Sequence, residues 1–373
     1  MTKVCQLRIY LSDRQKRLFD AQLECHRLLY NTVLDDAENL WNSQKKSEGT
    51  MTLVKKWVNH FRKNDNRFSD CNYSSLQHTV RRFGKTRDKI ISTRKGKTRC
   101  SFRRKKGHDF NTLEYTYGDG LHIKNGKVKI HGLGFVKTVW HRTPEKPSYV
   151  TVSRKGTQYY VNFFQKTYND APIQCETAVG LDFGVQTLVA FSTGEKVAPP
   201  KYAKRDKKDL ARAHRKVHKA AKGSQERARR RKVLNKINQR IANRRKDFNH
   251  QLSRSIVNRY DVICMEDLKV NGIVSDDPIA AKKANINRAV YDLGIGQLQN
   301  FLSYKAENAG RTLVKVNPAY TSQKCSCCGR TEAKTLDQRI HQCECGLTLD
   351  RDVNAALNIL TLGLQSLGKL SLS

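Results

Sequence analysis

Four cysteines and a handful of carboxylates hold most of the chemistry this sequence can offer. Cys325-x-x-Cys328-Gly and Cys343-x-Cys345-Gly make two knuckles separated by fourteen residues. That is the pattern of a zinc ribbon closed by four thiolates. The second knuckle is one residue tighter than the usual pair. Cys327 could stand in as a first-knuckle ligand, although its place inside the x-x gap favours a free thiol, and His341 is a weaker rival. Five of the eleven cysteines fall within 21 residues, a clustering that points to metal rather than to disulfides. The other six are scattered singly and read as ordinary buried or indifferent thiols.

The acids lie at element ends in apolar surroundings. Asp182 follows "AVGL" in an expected strand, Glu266 and Asp267 close the apolar "VICM", and Asp350 and Asp352 open the last helical pattern. A single such acid is more often a helix cap or an ion-pair partner. Strand, strand and helix start together can bring three carboxylates to one point, the oxygen-rich cluster that hard cations such as Mg²⁺ need. Two such cations would clamp the attacking water and the leaving oxygen of a phosphodiester. Spacing alone does not choose between Asp350 and Asp352. Val353, Ala356, Leu357 and Leu360 fall at i, i+3, i+4 and i+7, so the last helix is expected to bury that face and begin near Asp352, with Asp350 ahead of the first turn.

The elements that must position these residues are legible from period and composition. The 373 residues suffice for more than one domain, and 71 Lys and Arg face 34 acids, a formal charge of +37. Such a balance matches a nucleic-acid polyanion, whose neutralised phosphates release counterions; a basic protein of a membrane surface is the competing reading. No run of ~18 apolar residues could span a bilayer. The start lacks the apolar core of a secretory signal, so a soluble intracellular chain is expected.

Cys5 to Tyr10 reads as a short strand, followed by a long helix with Ser12 as its candidate N-cap. Further amphipathic helices follow from Leu53 to Ile91, and then the basic run "STRKGKTRCSFRRKKG" as a loop or helix edge facing phosphate. From Thr112 the period becomes two, with hairpins around Asn-Gly and Lys-Gly turns that the strand at Cys5 could join. "YNDAPIQCET" is an expected linker. "AVGLDFGVQTLVAFSTGEKV" reads as two short strands around a turn. Lys201 to Lys232 carries fifteen Lys or Arg against three acids. With the stripe Leu234, Ile237, Ile241, Phe248, Leu252 and Ile256, it predicts a basic helical hairpin. "YDVICMEDL" is a buried strand, "GQLQNFLSYKAENAG" a helix and "RTLVKVNP" another strand.

"GLDFGVQTL", "GSQERARRRKVLNKINQRIANRRKDFNHQLS", "VICMEDLKV", "VNPAYTSQKCSCCG" and "CGLTLDRDVNAALNIL" together resemble TnpB, the RNA-guided DNA endonuclease family of small transposons, related to the type V CRISPR effectors. The resemblance extends over nearly all of the chain, including "LRIYLSDRQKRLFDAQLECHRLLYN". It implies an α/β fold with all-α and all-β modules: a RuvC-type, RNase H-like nuclease domain with an inserted zinc ribbon, a helical recognition lobe and a β-barrel wedge module. The expected boundaries are 1–11 for the first wedge strand, 12–111 for the helical lobe and 112–174 for the rest of the wedge. The nuclease domain with its basic hairpin would take 175–320, the ribbon 321–346 and the last part of the nuclease 347–373.

Carried over residue by residue, the resemblance makes Asp182, Glu266 and Asp352 the catalytic acids and ligands of a two-metal Mg²⁺ site. Cys325, Cys328, Cys343 and Cys345 would hold a structural Zn²⁺. Asp350 is left as a cap or a supporting residue. The implied partners are a transposon-encoded guide RNA and target DNA cut beside a short flanking motif, with no membrane, in the cytoplasm of a prokaryotic host near its nucleoid. Three rivals differ in class or guide: a nuclease-dead RNA-guided repressor, expected to lose one of the acids; a compact CRISPR effector; and a zinc-ribbon protein acting in transposition without cutting.

Overall fold

The computed structural model describes residues 2–44, 47–94, 103–107, 109–166, 176–267, 293–332 and 338–368. Its contacts divide the chain into two units, Met1–Thr167 and Tyr168–Ser373. Most of the basic run (95–102) and of the expected linker (168–175) lies outside the described residues.

The first unit is a closed barrel with helices packed on it. Strand β1 (Thr2–Tyr10) turns Cys5, Leu7 and Ile9 into the core. Six further strands follow: β2 (Thr112–Tyr117), β3 (Gly120–Lys124), β4 (Lys127–Ile130), β5 (Gly134–Val139), β6 (Pro147–Lys155) and β7 (Gln158–Lys166). They close in the order β1-β5-β4-β3-β2-β6-β7, so the strand at the start of the chain does join the hairpins, between β5 and β7. Closure leaves no unpaired edge. The Asn125-Gly126 turn between β3 and β4 has φ of 51° and 67°, the left-handed pair that a two-residue hairpin requires.

Helix α1 (Asp13–Gln44) starts in a reciprocal capping box. The Gln15 N–H donates to Ser12 Oγ at 3.2 Å, and the Ser12 N–H donates to Gln15 Oε1 at 3.0 Å. Short helices α2 (Thr50–Leu53) and α3 (Asn59–Asn64) flank a π turn at Val54–Val58, and α4 (Tyr73–Arg94) packs on α1.

The second unit is built on a mixed five-stranded sheet ordered β10-β9-β8-β11-β12. Strands β8 (Ala178–Phe183), β11 (Val262–Glu266) and β12 (Thr312–Val316) run parallel. Strands β9 (Val189–Phe191) and β10 (Lys196–Val197) are antiparallel additions. The sequence reading expected two strands in this stretch; the third, β10, is two residues long and too short to leave an alternating pattern.

Helix α5 (Tyr202–Arg205) leads into the hairpin of α6 (Lys207–Lys219) and α7 (Gln225–Arg259). Ile241 and Ile256 of the expected stripe are buried, and Leu234, Ile237, Phe248 and Leu252 are half-buried. Helix α8 (Ile295–Asn308) covers one face of the sheet with the end of α7, over Val179, Leu181, Ile263 and Met265. Helix α9 (Arg351–Ser366) covers the other, against Val262, Cys264 and Val316.

Two glycines set how closely α9 lies. A Cβ at Gly180 would stand 2.0 Å from the Ala356 carbonyl oxygen, and one at Gly363 would stand 2.2 Å from Cys264 Sγ. At Gly180 helix backbone therefore meets strand backbone, and at Gly363 the helix backbone rests on the Cys264 side chain.

Candidate active site

Register fixes the first two acids. Parallel pairing puts Leu181 beside Met265, so the next residues, Asp182 and Glu266, emerge abreast at the carboxyl ends of β8 and β11. Alternation along a strand gives Gly180 and Asp182 the same face, and Cys264 and Glu266 likewise. Gly180 and Cys264 face α9, so the two carboxylates do too. The first turn of that helix carries Asp352.

The electrostatics record the convergence. The Asp182 carboxyl is pushed up to about 8, first by burial and then by repulsion from Glu266 and Asp352, with Arg351 and the Phe183 N–H opposing. Glu266 is 7 % exposed and its pKa is raised by burial, against a hydrogen bond from Thr321. Like charges held together and partly shielded from water favour a proton or a cation between them. A hard divalent cation fits that donor set by chemistry.

The neighbouring acids are engaged elsewhere. Asp267 is exposed and pairs with Lys315 at 3.3 Å. Asp350 is the N-cap of α9, accepting from the N–H groups of Asp352 at 3.0 Å and Val353 at 3.3 Å. Its other oxygen pairs with Lys196. Partial burial pushes the Asp350 carboxyl up, but Lys196 and the capped N–H groups of Val353 and Asp352 together hold it below its ordinary value.

The four cysteines of the two knuckles come together in the ribbon. Cys325, Cys328, Cys343 and Cys345 place their sulfurs within 4.8 Å of one another. The Cys325–Cys345 and Cys328–Cys343 separations are 3.7 and 3.5 Å. A tetrahedral ion with sulfur bonds of ~2.3 Å would set them about 3.8 Å apart, so the geometry fits zinc. Burial opposes the Cys325 thiolate, but the N–H groups of Cys328 and Cys327 bring its pKa down to about 7. Cys327 is exposed and outside the cluster, as is the buried His341, which lies on the hairpin of β13 (Ile340–Gln342) and β14 (Thr348–Asp350).

Sequence reasoning missed the residues that tie ribbon to helix. Asn354 donates to the Lys324 carbonyl at 2.8 Å and accepts from the Ser326 N–H at 3.0 Å. Asn358 donates to the carbonyls of Thr321 at 2.9 Å and Lys324 at 2.7 Å. Thr321 Oγ donates to Glu266 Oε1 at 2.5 Å, and Gln299 donates to the Glu266 carbonyl at 3.1 Å. The buried face of α9 is accordingly wider than the apolar spacing predicts: it includes Asn354, Ala355, Asn358 and Ile359, while Leu357 and Leu360 are only half-buried. The signal was there, since two asparagines four apart on a helix that is otherwise mostly apolar seldom point at solvent.

The basic hairpin offers a surface rather than a pocket. Its acids are engaged by arginines: Glu226 with Arg230, Asp206 with Arg240 and Arg244, and Asp209 with Arg240. Most of the fifteen basic residues of 201–232 stay exposed and unbalanced, the footprint of phosphate binding. Among the described residues no helix is long and apolar enough to cross a membrane.

Comparison with known proteins places this geometry. Residues 296–359 match the "Cas12f1-like, TNB domain" family, residues 160–277 the family described as "Probable transposase", and residues 1–46 a "Helix-turn-helix domain". The last description does not suit the architecture, in which residues 2–44 form a strand and one continuous helix. A protein of Streptomyces pristinaespiralis named "Putative RNA-guided DNA endonuclease" is 31% identical over 366 residues, 96% of this chain and 88% of its own length. InsQ of Escherichia coli K12, which bears the same description, is 30% identical over 281 residues, 71% of this chain and 69% of its own. A Cas12f1–sgRNA–target DNA complex shares the fold, with a TM-score of 0.59 at 14% identity over 96% of this chain and 98% of its own.

Proposed function

Because this chain belongs to the TnpB family of RNA-guided DNA endonucleases, we propose that it binds a transposon-encoded guide RNA and hydrolyses target DNA beside a short flanking motif. Guide pairing supplies sequence specificity, while the protein grips backbone and duplex shape. The exposed charge of α6 and α7 supports that grip. We assign the helical lobe and barrel to recognition of guide and flanking motif, and the second unit to cutting. The protein acts where host DNA lies, in the cytoplasm and at the nucleoid of a prokaryote.

The catalytic residues of this reading are Asp182, Glu266 and Asp352, and the observation that carries it is the strand pairing that brings Asp182 and Glu266 abreast on the face covered by α9, whose first turn carries Asp352. These carboxylates would hold two Mg²⁺ ions, which when bound clamp the attacking water and leaving oxygen of the phosphodiester. Asp182 and Glu266 contribute fixed oxygens from rigid strand ends, and Asp352 contributes one from a helix start held by the Asp350 cap. Arg351, 3.8 Å from Asp352, offsets part of the negative charge near the strand ends. Cys325, Cys328, Cys343 and Cys345 hold a structural Zn²⁺. A repressor reading is not favoured, because all three acids are present.

Asp182→Ala is expected to keep guided DNA binding and lose cleavage, measured on one preparation with the RNA that copurifies. Cleavage by that variant at the wild-type rate would overturn the site. Metal analysis finding no zinc in protein purified without chelator would overturn the ribbon ligands.

A further inference from the structure

The ribbon reaches the acid cluster through one hydroxyl. Thr321 is 4 % exposed and stands at the ribbon's base, four residues before Cys325. Its Oγ donates to Glu266 Oε1 at 2.5 Å, and its own carbonyl accepts from Asn358 of α9 at 2.9 Å. Asn358 also holds the Lys324 carbonyl, as does Asn354, and Asn354 takes the Ser326 N–H as well. The turn from Thr321 to Ser326 is therefore pinned at one end to a strand-end carboxylate and along its length to the helix that carries Asp352.

A neutral hydroxyl hydrogen-bonded to a buried carboxylate does two things. It fixes the carboxyl rotamer, and it favours the charged form without adding a counter-charge. Glu266 ends strand β11 beside the exposed Asp267, and Gln299 holds only its backbone carbonyl, so the hydrogen bond on its side chain is the one from Thr321.

We propose that Thr321 is a positioning residue for cleavage, which sets the Glu266 carboxylate and makes the ribbon's seating on α9 part of the geometry of the acid cluster. The inference rests on the catalytic reading of Glu266 given above.

The test compares Thr321→Val, which keeps shape and removes the hydroxyl, with Thr321→Ser, which keeps the hydroxyl. Four quantities are read on the guide-loaded full chain: single-turnover cleavage at saturating target, the target concentration at half-maximal rate, zinc content and melting temperature. Mn²⁺ binding to the protein, followed by its paramagnetic resonance signal, gives a readout apart from cutting. Thr321→Val is expected to keep zinc and target affinity, to cut about tenfold to a hundredfold more slowly and to bind Mn²⁺ more weakly. That range is what losing one hydrogen bond to a charged group produces. Thr321→Ser should restore the rate to within about threefold.

Thr321→Val cutting within twofold of wild type overturns the proposal, as does Thr321→Ser failing as badly as Thr321→Val, which would make the effect one of packing. Glu266→Gln is run beside them. If it is dead while Thr321→Val is normal, the positioning inference alone fails; if Glu266→Gln also cuts normally, the catalytic reading fails first.

Discussion

The barrel unit and the sheet unit both bury polar side chains, but they do it in opposite ways. In the barrel unit the buried groups are complementary. His26 meets Thr79 Oγ at 2.7 Å and Ser75 Oγ at 3.4 Å, and Tyr115 donates to Gln22 at 3.2 Å. Neutral donors and acceptors answer one another, and the cluster packs as core. In the sheet unit Asp182, Glu266 and Asp352 are alike, and after burial it is Glu266 and Asp352 that make the charged form of Asp182 harder to hold. Complementary burial serves folding. Burial of like charges works against folding and is retained where a bound cation or a reaction needs it.

The comparison can be broken first at the acids. Asp352→Asn should lower single-turnover cleavage by roughly two or more orders of magnitude, since a lost metal ligand removes several kcal/mol of charge stabilisation. In chelator the same variant should melt no lower than wild type, because one repelling charge has gone. A large drop in melting temperature there would mean that the acids serve the fold. His26→Ala should behave in the reverse sense: it opens a cavity and removes the ring partner of the Thr79 and Ser75 hydroxyls, for a loss of about 2–4 kcal/mol in the first unit. Cleavage per folded molecule should hold.

Acidity sharpens the contrast next, because the two units should respond to pH with opposite sign. Burial and the nearby Arg82 hold the His26 pKa down to about 3 from 6.5. The unfolded chain thus binds the proton first, and stability present above pH 6.5 is lost as pH falls toward 3. Asp182 is held up at about 8 against 3.8. Here the folded chain keeps the proton, and stability present below pH 3.8 is lost as pH rises toward 8 when no divalent cation is bound. Amide exchange in chelator, read on peptides from each unit, should show protection falling with acid around α1 and with base around β8. Parallel profiles in the two units would contradict the assignment.

The smallest effect separates the neighbouring aspartates. Asp350→Asn weakens the charge pair with Lys196 while keeping a residue able to cap, so a stability loss of about 1 kcal/mol or less is expected with cleavage retained. If this variant is dead and Asp352→Asn cuts normally, the roles of the two acids are exchanged.

How far each choice was written in the sequence depends on how local its physics is. Period two marked the hairpins, period 3.6 marked the helices, and the Cys-x-x-Cys and Cys-x-Cys knuckles announced a metal site, because each rests on neighbours a few residues apart. The N-cap at Ser12 and the cap at Asp350 were legible for the same reason. That Asp182 and Glu266 end strands could be read as well. That they stand abreast on one face could not: it follows from the pairing of Leu181 with Met265, residues 84 positions apart. The approach of α9 was also hidden, since Gly180 and Gly363 look like any glycines until helix backbone comes to rest on the one and Cys264 on the other. Thr321 was silent, because a polar side chain in a loop reveals its role only when burial removes water as its partner. The sequence alone determined the elements, the ligand types and the family resemblance; the tertiary structure decided which strand ends stand abreast and what packs over them, because register and burial exist only between segments that folding brings together.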